Sequence, residues 1–73
     1  MVNQRYNVSF LGENIHRYRI ERGFSRERFA ELTEVSSRMV YDWENGLSLP
    51  KTERLVLIAQ VLEVGLDSMF TKK

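Results

Sequence analysis

The sequence predicts an all-α fold, a compact set of five short helices, on three observations. Punctuation is sparse: glycines at 12, 23, 46 and 65 and one proline at 50 divide the 73 residues into short pieces. Each piece repeats apolar side chains at the three- and four-residue spacings of a helix. No piece alternates apolar and polar residues for long enough to build a sheet.

The first helix is read from Ser9 or Phe10 to Arg22, with Leu11, Ile15 and Tyr18 on one face. Gly23 is placed to end it in a left-handed cap. Gly12 lies inside it, where glycine costs about 1 kcal/mol against alanine, so it marks a close backbone approach. Ser25 caps a second helix whose stripe of Phe29, Ala30 and Leu32 ends near Thr33. Ser36 caps a third, with Val40 and Trp43 facing inward and Val35 stapled onto that face. It stops at Asn45-Gly46, a pair suited to positive φ. The turn Leu47–Pro50 leads to a fourth helix, Thr52 to Leu62, with Leu55, Ile58, Ala59 and Leu62 as its core stripe. After Gly65 a fifth short helix runs from Leu66 to Phe70.

Residues 9–70 therefore form one domain, with 1–8 as an N-terminal arm carrying Arg5 and 71–73 as a tail. Hydrophobic residues make up 42 % and charged residues 29 %, a globular composition. There is no cysteine, which excludes a disulfide framework and thiolate metal sites. No apolar run approaches the ~20 residues that span a bilayer, and the N-terminus is too polar for a signal peptide, so no membrane partner is expected and the cytoplasm is the expected compartment. One histidine, no glycine-rich phosphate loop and no catalytic constellation give no enzyme, cofactor, metal or small-molecule ligand. That histidine, His16, is read as a solvated side chain. A net charge of +1 weighs against binding nucleic acid by bulk electrostatics, but not against a compact reader with its few cations on one face.

The middle of the chain is the most informative. Ser25–Leu32 and Ser37–Glu44 are two short amphipathic helices joined by Thr33-Glu34-Val35-Ser36. A link of that length is the layout of a helix-turn-helix, whose second helix can enter a major groove. Leu11-Gly12-Glu13, Arg19, Ser25, Phe29-Ala30, Val35-Ser36, Trp43-Glu44-Asn45-Gly46, Pro50, Leu55, Ile58-Ala59, Leu62 and Leu66-Asp67 follow one another as landmarks in a specific order and spacing. On them, Leu11 to Phe70 resembles the phage-repressor-like, Cro/C1-type (Xre) helix-turn-helix family.

The resemblance implies a five-helix, lambda-repressor-like DNA-binding domain, a transcriptional regulator acting as a homodimer on a two-fold-symmetric double-stranded operator. Ser37–Glu44 would be the recognition helix, with Ser37, Arg38, Tyr41 and Asp42 toward base edges. A guanidinium can bridge guanine O6 and N7, worth about 1–3 kcal/mol of discrimination. Asp42 would instead accept from a cytosine amine or pair with Arg38, four residues earlier. Phosphate contacts would come from the Ser25 end of the second helix, Arg26, Asn45, Lys51 and Arg54. The family places a glutamine at the position of Arg26, so arginine here keeps a phosphate role.

Several landmarks carry structural readings. Trp43 is a core aromatic, and Arg19 and Glu44 are expected as an ion pair joining the first and third helices. Arg17, Arg19, Arg22, Arg26 and Arg28 interleave with Glu21, Glu27 and Glu31 as a charged surface or part of the DNA face. Val56, Leu57 and Val61 widen the apolar stripe of the fourth helix. They provide either extra packing or a homodimer patch of Leu57 and Val61 with Leu47 or Met69. The competing function is a protein-interaction module of the same fold with little DNA affinity. For a DNA reader of charge +1, Arg26, Arg38, Lys51 and Arg54 are expected on one face, away from Glu31, Glu34, Glu63 and Asp67.

Overall fold

The computed structural model describes residues 8–72. A 3₁₀ turn, Val8–Phe10, leads into α1, Leu11–Glu21, followed by α2, Arg26–Thr33, α3, Ser37–Glu44, and α4, Thr52–Leu62. A second 3₁₀ turn spans Leu66–Met69. The described residues thus carry four α-helices, and the expected fifth is a single tight turn. Its hydrogen bonds run three residues back, from Ser68 N–H to the Gly65 carbonyl and from Phe70 N–H to the Asp67 carbonyl. One turn after Gly65 is too short to repay α-helix nucleation. The residues just before Leu11 are wound in the same tighter form, which moves the start of α1 inward from Ser9. Of the arm read as residues 1–8, residues 1–7 lie outside the described residues, and Val8 opens the first 3₁₀ turn.

Leu11 and Ile15 of α1, Phe29 and Ala30 of α2, Val40 and Trp43 of α3, and Ile58 and Leu62 of α4 close on one core. Phe24 and Phe29 stack at 6.3 Å between centroids. Met69, named above as an alternative member of a dimer patch, is instead fully buried in this core at 0 % exposure. Buried Asn14 draws it in: its Nδ2 donates to the carbonyls of Met69 at 2.7 Å and Thr71 at 3.0 Å. Its Oδ1 accepts from Arg17. Of the other patch residues, Val61 packs against the core. Leu57 is half-buried, and Leu47 is 63 % exposed.

Gly12 meets the close approach it signalled, which is to α3. A Cβ built there would lie 2.5 Å from the Trp43 carbonyl oxygen and 3.0 Å from that of Glu44.

All four α-helices end alike. One residue at each end turns left-handed, its N–H bonds back three residues, and the next N–H bonds back five, as in the pairs Gly23–Ile20 and Phe24–Arg19. Glycine takes the left-handed position after α1 and α3, but Glu34 and Glu63 take it after α2 and α4, at φ 64° and 59°. An L-residue there costs about 1 kcal/mol. At those two ends an arginine from elsewhere in the chain binds the terminal carbonyls. Arg54 Nη1 donates to the Thr33 carbonyl at 3.0 Å, and Arg22 Nε to the Leu62 carbonyl at 2.7 Å. A cation at a helix C-terminus also opposes the negative end of its dipole.

Candidate nucleic-acid interface

The α2–turn–α3 unit is set by local chemistry. Ser25 and Ser36 sit in extended backbone, and their hydroxyls accept from the Arg28 and Met39 N–H groups, starting α2 and α3. Between them Glu34 turns the chain, and half-buried Val35 pins the turn to the core. With Val40 and Trp43 turned inward, the outer side of α3 carries Ser37, Arg38, Tyr41 and Asp42.

Ser37 is half-buried in the first turn of α3, while Arg38 projects with 74 % of its side chain exposed. Arg38 Nε donates to Asp42 Oδ1 at 3.0 Å. This pair gives the carboxylate a partner on its own helix and fixes the direction of the arginine. Tyr41 is 39 % exposed. Arg38 lies over its ring at 5.2 Å from the centroid, and Arg26, from the start of α2, lies over the same ring at 5.5 Å.

Behind this surface is a buried ion pair. Arg19 Nε donates to Glu44 Oε2 at 2.5 Å, and Arg19 Nη2 to Oε1 at 3.2 Å. Both side chains are almost wholly enclosed, and Arg19 also donates to the Phe24 carbonyl. Burial alone would raise the Glu44 pKa, but hydrogen bonds from Arg19 and His16, and their charges, hold it below the ordinary carboxylate value. His16 corrects its reading as merely solvated. Its ring is half exposed, yet Nδ1 sits 3.1 Å from Glu44 Oε1. The spacing of His16 and Arg19, three apart on one helix, is the signal that could have found this. Arg26 Nε, 3.9 Å from the same oxygen, is buried and held there by charge. A cleft of about 320 Å³ opens beside it, lined by Glu13, His16, Arg26, Tyr41, Glu44 and Asn45.

The remaining candidates are more dispersed. The Ser25 hydroxyl is engaged as the α2 cap. Asn45 folds back, its Nδ2 donating to the Tyr41 carbonyl at 2.8 Å. Lys51 stands exposed at the start of α4, on a separate apolar groove with Val35, Met39, Trp43 and Leu49. Arg54 is committed to the end of α2 and lies 3.4 Å from the Glu34 carboxylate. The expected separation of Arg54 from Glu34 is therefore corrected, because the left-handed turn at Glu34 brings that carboxylate to Arg54. Arg26, Arg38 and Tyr41 come together, whereas Lys51 and Arg54 line a different groove. Among the described residues no helix is long and apolar enough to cross a membrane.

The helix-turn-helix family pattern matches residues 15–69. A curated relative from Rickettsia prowazekii (strain Madrid E), described as an uncharacterized HTH-type transcriptional regulator, is 34 % identical over 62 residues, 85 % of this chain and 48 % of its own length. The chain thus spans about half the length of the curated relatives it matches first. The crystal structure of an HTH_3-family transcriptional regulator from Vibrio cholerae superposes with a TM-score of 0.74 at 33 % identity, covering 86 % of this chain and 37 % of that one. The N-terminal DNA-binding domain of SinR from Bacillus subtilis superposes with a TM-score of 0.78 at 28 % identity, covering 88 % and 94 %. SinR, a master regulator for biofilm formation, also matches in complex with DNA, with a TM-score of 0.75 at 28 % identity, covering 81 % and 95 %.

Proposed function

Because this chain belongs to the helix-turn-helix family of Cro/C1 type, we propose that it binds double-stranded DNA sequence-specifically as a transcriptional regulator, acting as a homodimer on a two-fold-symmetric operator. The family and fold are those of DNA-binding regulators rather than enzymes. The observation that carries the reading is the outer side of α3. There an exposed arginine, Arg38, is aimed by Asp42 from the first turn of the second helix of the motif, with the cationic Arg26 beside it. That is the placement from which a guanidinium reads guanine in a major groove. Ser37 completes the base-facing set, and Arg26, Lys51, Asn45 and the Ser25 end of α2 supply backbone contacts. Arg54 joins them only by leaving its carbonyl partner on α2. The second subunit is proposed to cover the exposed Leu47 and the half-buried Leu57 and Val61.

The test is selection of DNA from a random pool, followed by electrophoretic shift of the selected site across a salt series. Arg26 and Lys51 from each of two subunits give four phosphate contacts, so log K should fall against log salt with a slope of about −4. Arg38→Ala should cost about 1–3 kcal/mol for each half-site, about 2–6 kcal/mol for the dimer, and relax preference at one position of each half-site. No selected sequence and no shift would refute the reading in favour of a protein-interaction module.

A further inference from the structure

The arrangement around Tyr41 goes beyond a row of contacts. One aromatic ring on the solvent side of α3 carries two guanidiniums over it, from different elements: Arg26 from the start of α2 and Arg38 from α3 itself. Each arginine has a second tether. Arg38 is bonded to Asp42, and Arg26 is drawn by Glu44, whose carboxylate is locked by Arg19 and His16. A long arginine on a surface normally samples many rotamers and loses that freedom when it binds. Here each is held from two directions before any ligand arrives, and the ring is common to both. The negative face of the ring attracts a cation whatever its hydroxyl does.

We propose that Tyr41 is a positioning residue, whose ring holds the Arg26 and Arg38 guanidiniums in their DNA-facing arrangement in the free protein, and that it does not itself read a base. The inference rests on the proposed DNA-binding function and replaces the expectation of a base contact at Tyr41. The ring, and not the hydroxyl, carries the role. Arg26 and Arg38 thereby act as one unit spanning α2 and α3, so loss of the ring weakens both contacts together.

The test compares Tyr41→Phe with Tyr41→Leu on the selected DNA, with unfolding curves to confirm that both variants fold. Phe should retain affinity within twofold. Leu should lose about tenfold, equivalent to about 1.4 kcal/mol. In double mutants, adding Arg38→Ala or Arg26→Ala to Tyr41→Leu should cost less than the same change in wild type. A Phe variant as weak as Leu would overturn the proposal by showing a hydroxyl contact, as would strict additivity in both cycles. The free protein gives an independent reading by NMR. The side-chain proton signals of Arg26 and Arg38 should be displaced by the ring current in wild type and in Tyr41→Phe, and return to ordinary positions in Tyr41→Leu. If those signals behave as stated but no DNA is bound, the function fails while the ring arrangement stands. If DNA is bound and the signals do not move, the positioning role fails.

Discussion

Replacing Gly12 with alanine sets two effects of opposite sign against each other. Alanine is the better helix former by about 1 kcal/mol, so propensity alone makes Gly12→Ala stabilising. The close approach of α1 to α3 argues the reverse. The new methyl would sit 2.5 Å from the Trp43 carbonyl oxygen, 3.0 Å from the Glu44 carbonyl oxygen and 3.2 Å from its carbon, where unstrained contacts begin at about 3.5 Å. These are backbone atoms in the last turn of α3. That turn is fixed by its own terminal hydrogen bonds and by the buried Trp43 ring, so relief requires about 1 Å of movement between two helices. Overpacking of this kind costs about 1–3 kcal/mol. After the propensity gain of about 1 kcal/mol is subtracted, a loss of up to about 2 kcal/mol remains, a fall in Tm of up to about 10 °C for a domain of this size. Thermal unfolding followed by circular dichroism measures it. Gly23→Ala serves as the comparison, because its φ of +77° is strained for alanine but nothing lies within 4 Å. A Gly12→Ala protein melting above wild type would refute the reasoning.

Three other outcomes are expected. Glu44→Gln should destabilise by about 3–5 kcal/mol in urea titration, since it leaves the buried Arg19 without its counter-charge. Because the Glu44 pKa is lowered on folding, its contribution is complete above the ordinary carboxylate value of 4.5 and is lost as pH falls through the depressed one. The stability gap between wild type and Glu44→Gln should therefore narrow in acid below about pH 4.5. Glu63→Gly should raise stability by up to about 1 kcal/mol by relieving the left-handed strain, while losing only a solvent-exposed 3.7 Å ion pair with Arg22 that contributes little; an unchanged or lower Tm would count against it. Asn14→Ala should cost about 1–3 kcal/mol by stranding the Met69 carbonyl, and should speed proteolysis after the last 3₁₀ turn.

What could be read from the sequence was mostly local. The hydroxyl caps at Ser25 and Ser36, the inward pair Val40 and Trp43, and the bounds of α4 follow from spacing within a few residues. The Arg38–Asp42 pair has the same origin, one turn of one helix. Gly12 announced a close neighbour without naming it, because the partner lies about thirty residues away in the chain. The misreadings share that cause. Met69 looked available until Asn14 drew the last turn onto the core, and Arg54 looked like a free cation until the end of α2 arrived beside it. Glu34 and Glu63 went unrecognised as helix stops because the usual signal there is glycine. Around Tyr41, residue types and helix positions were legible, whereas the convergence of Arg26 on the ring depends on how α2 crosses α3.

The arginines on the helix ends bear on how the molecule comes apart. Arg22, just past α1, closes the end of α4, and Arg54 of α4 closes the end of α2. A helix of eight or eleven residues would ordinarily fray from its last turn without consulting its neighbours. In this chain the last turns of α2 and α4 are each held by a residue from elsewhere, so unwinding α4 also uncaps α2, and displacing the end of α1 uncaps α4. Amide protection in hydrogen exchange should accordingly be lost from these three segments together, at close to the global unfolding free energy. Helices too short to persist singly become a single cooperative unit.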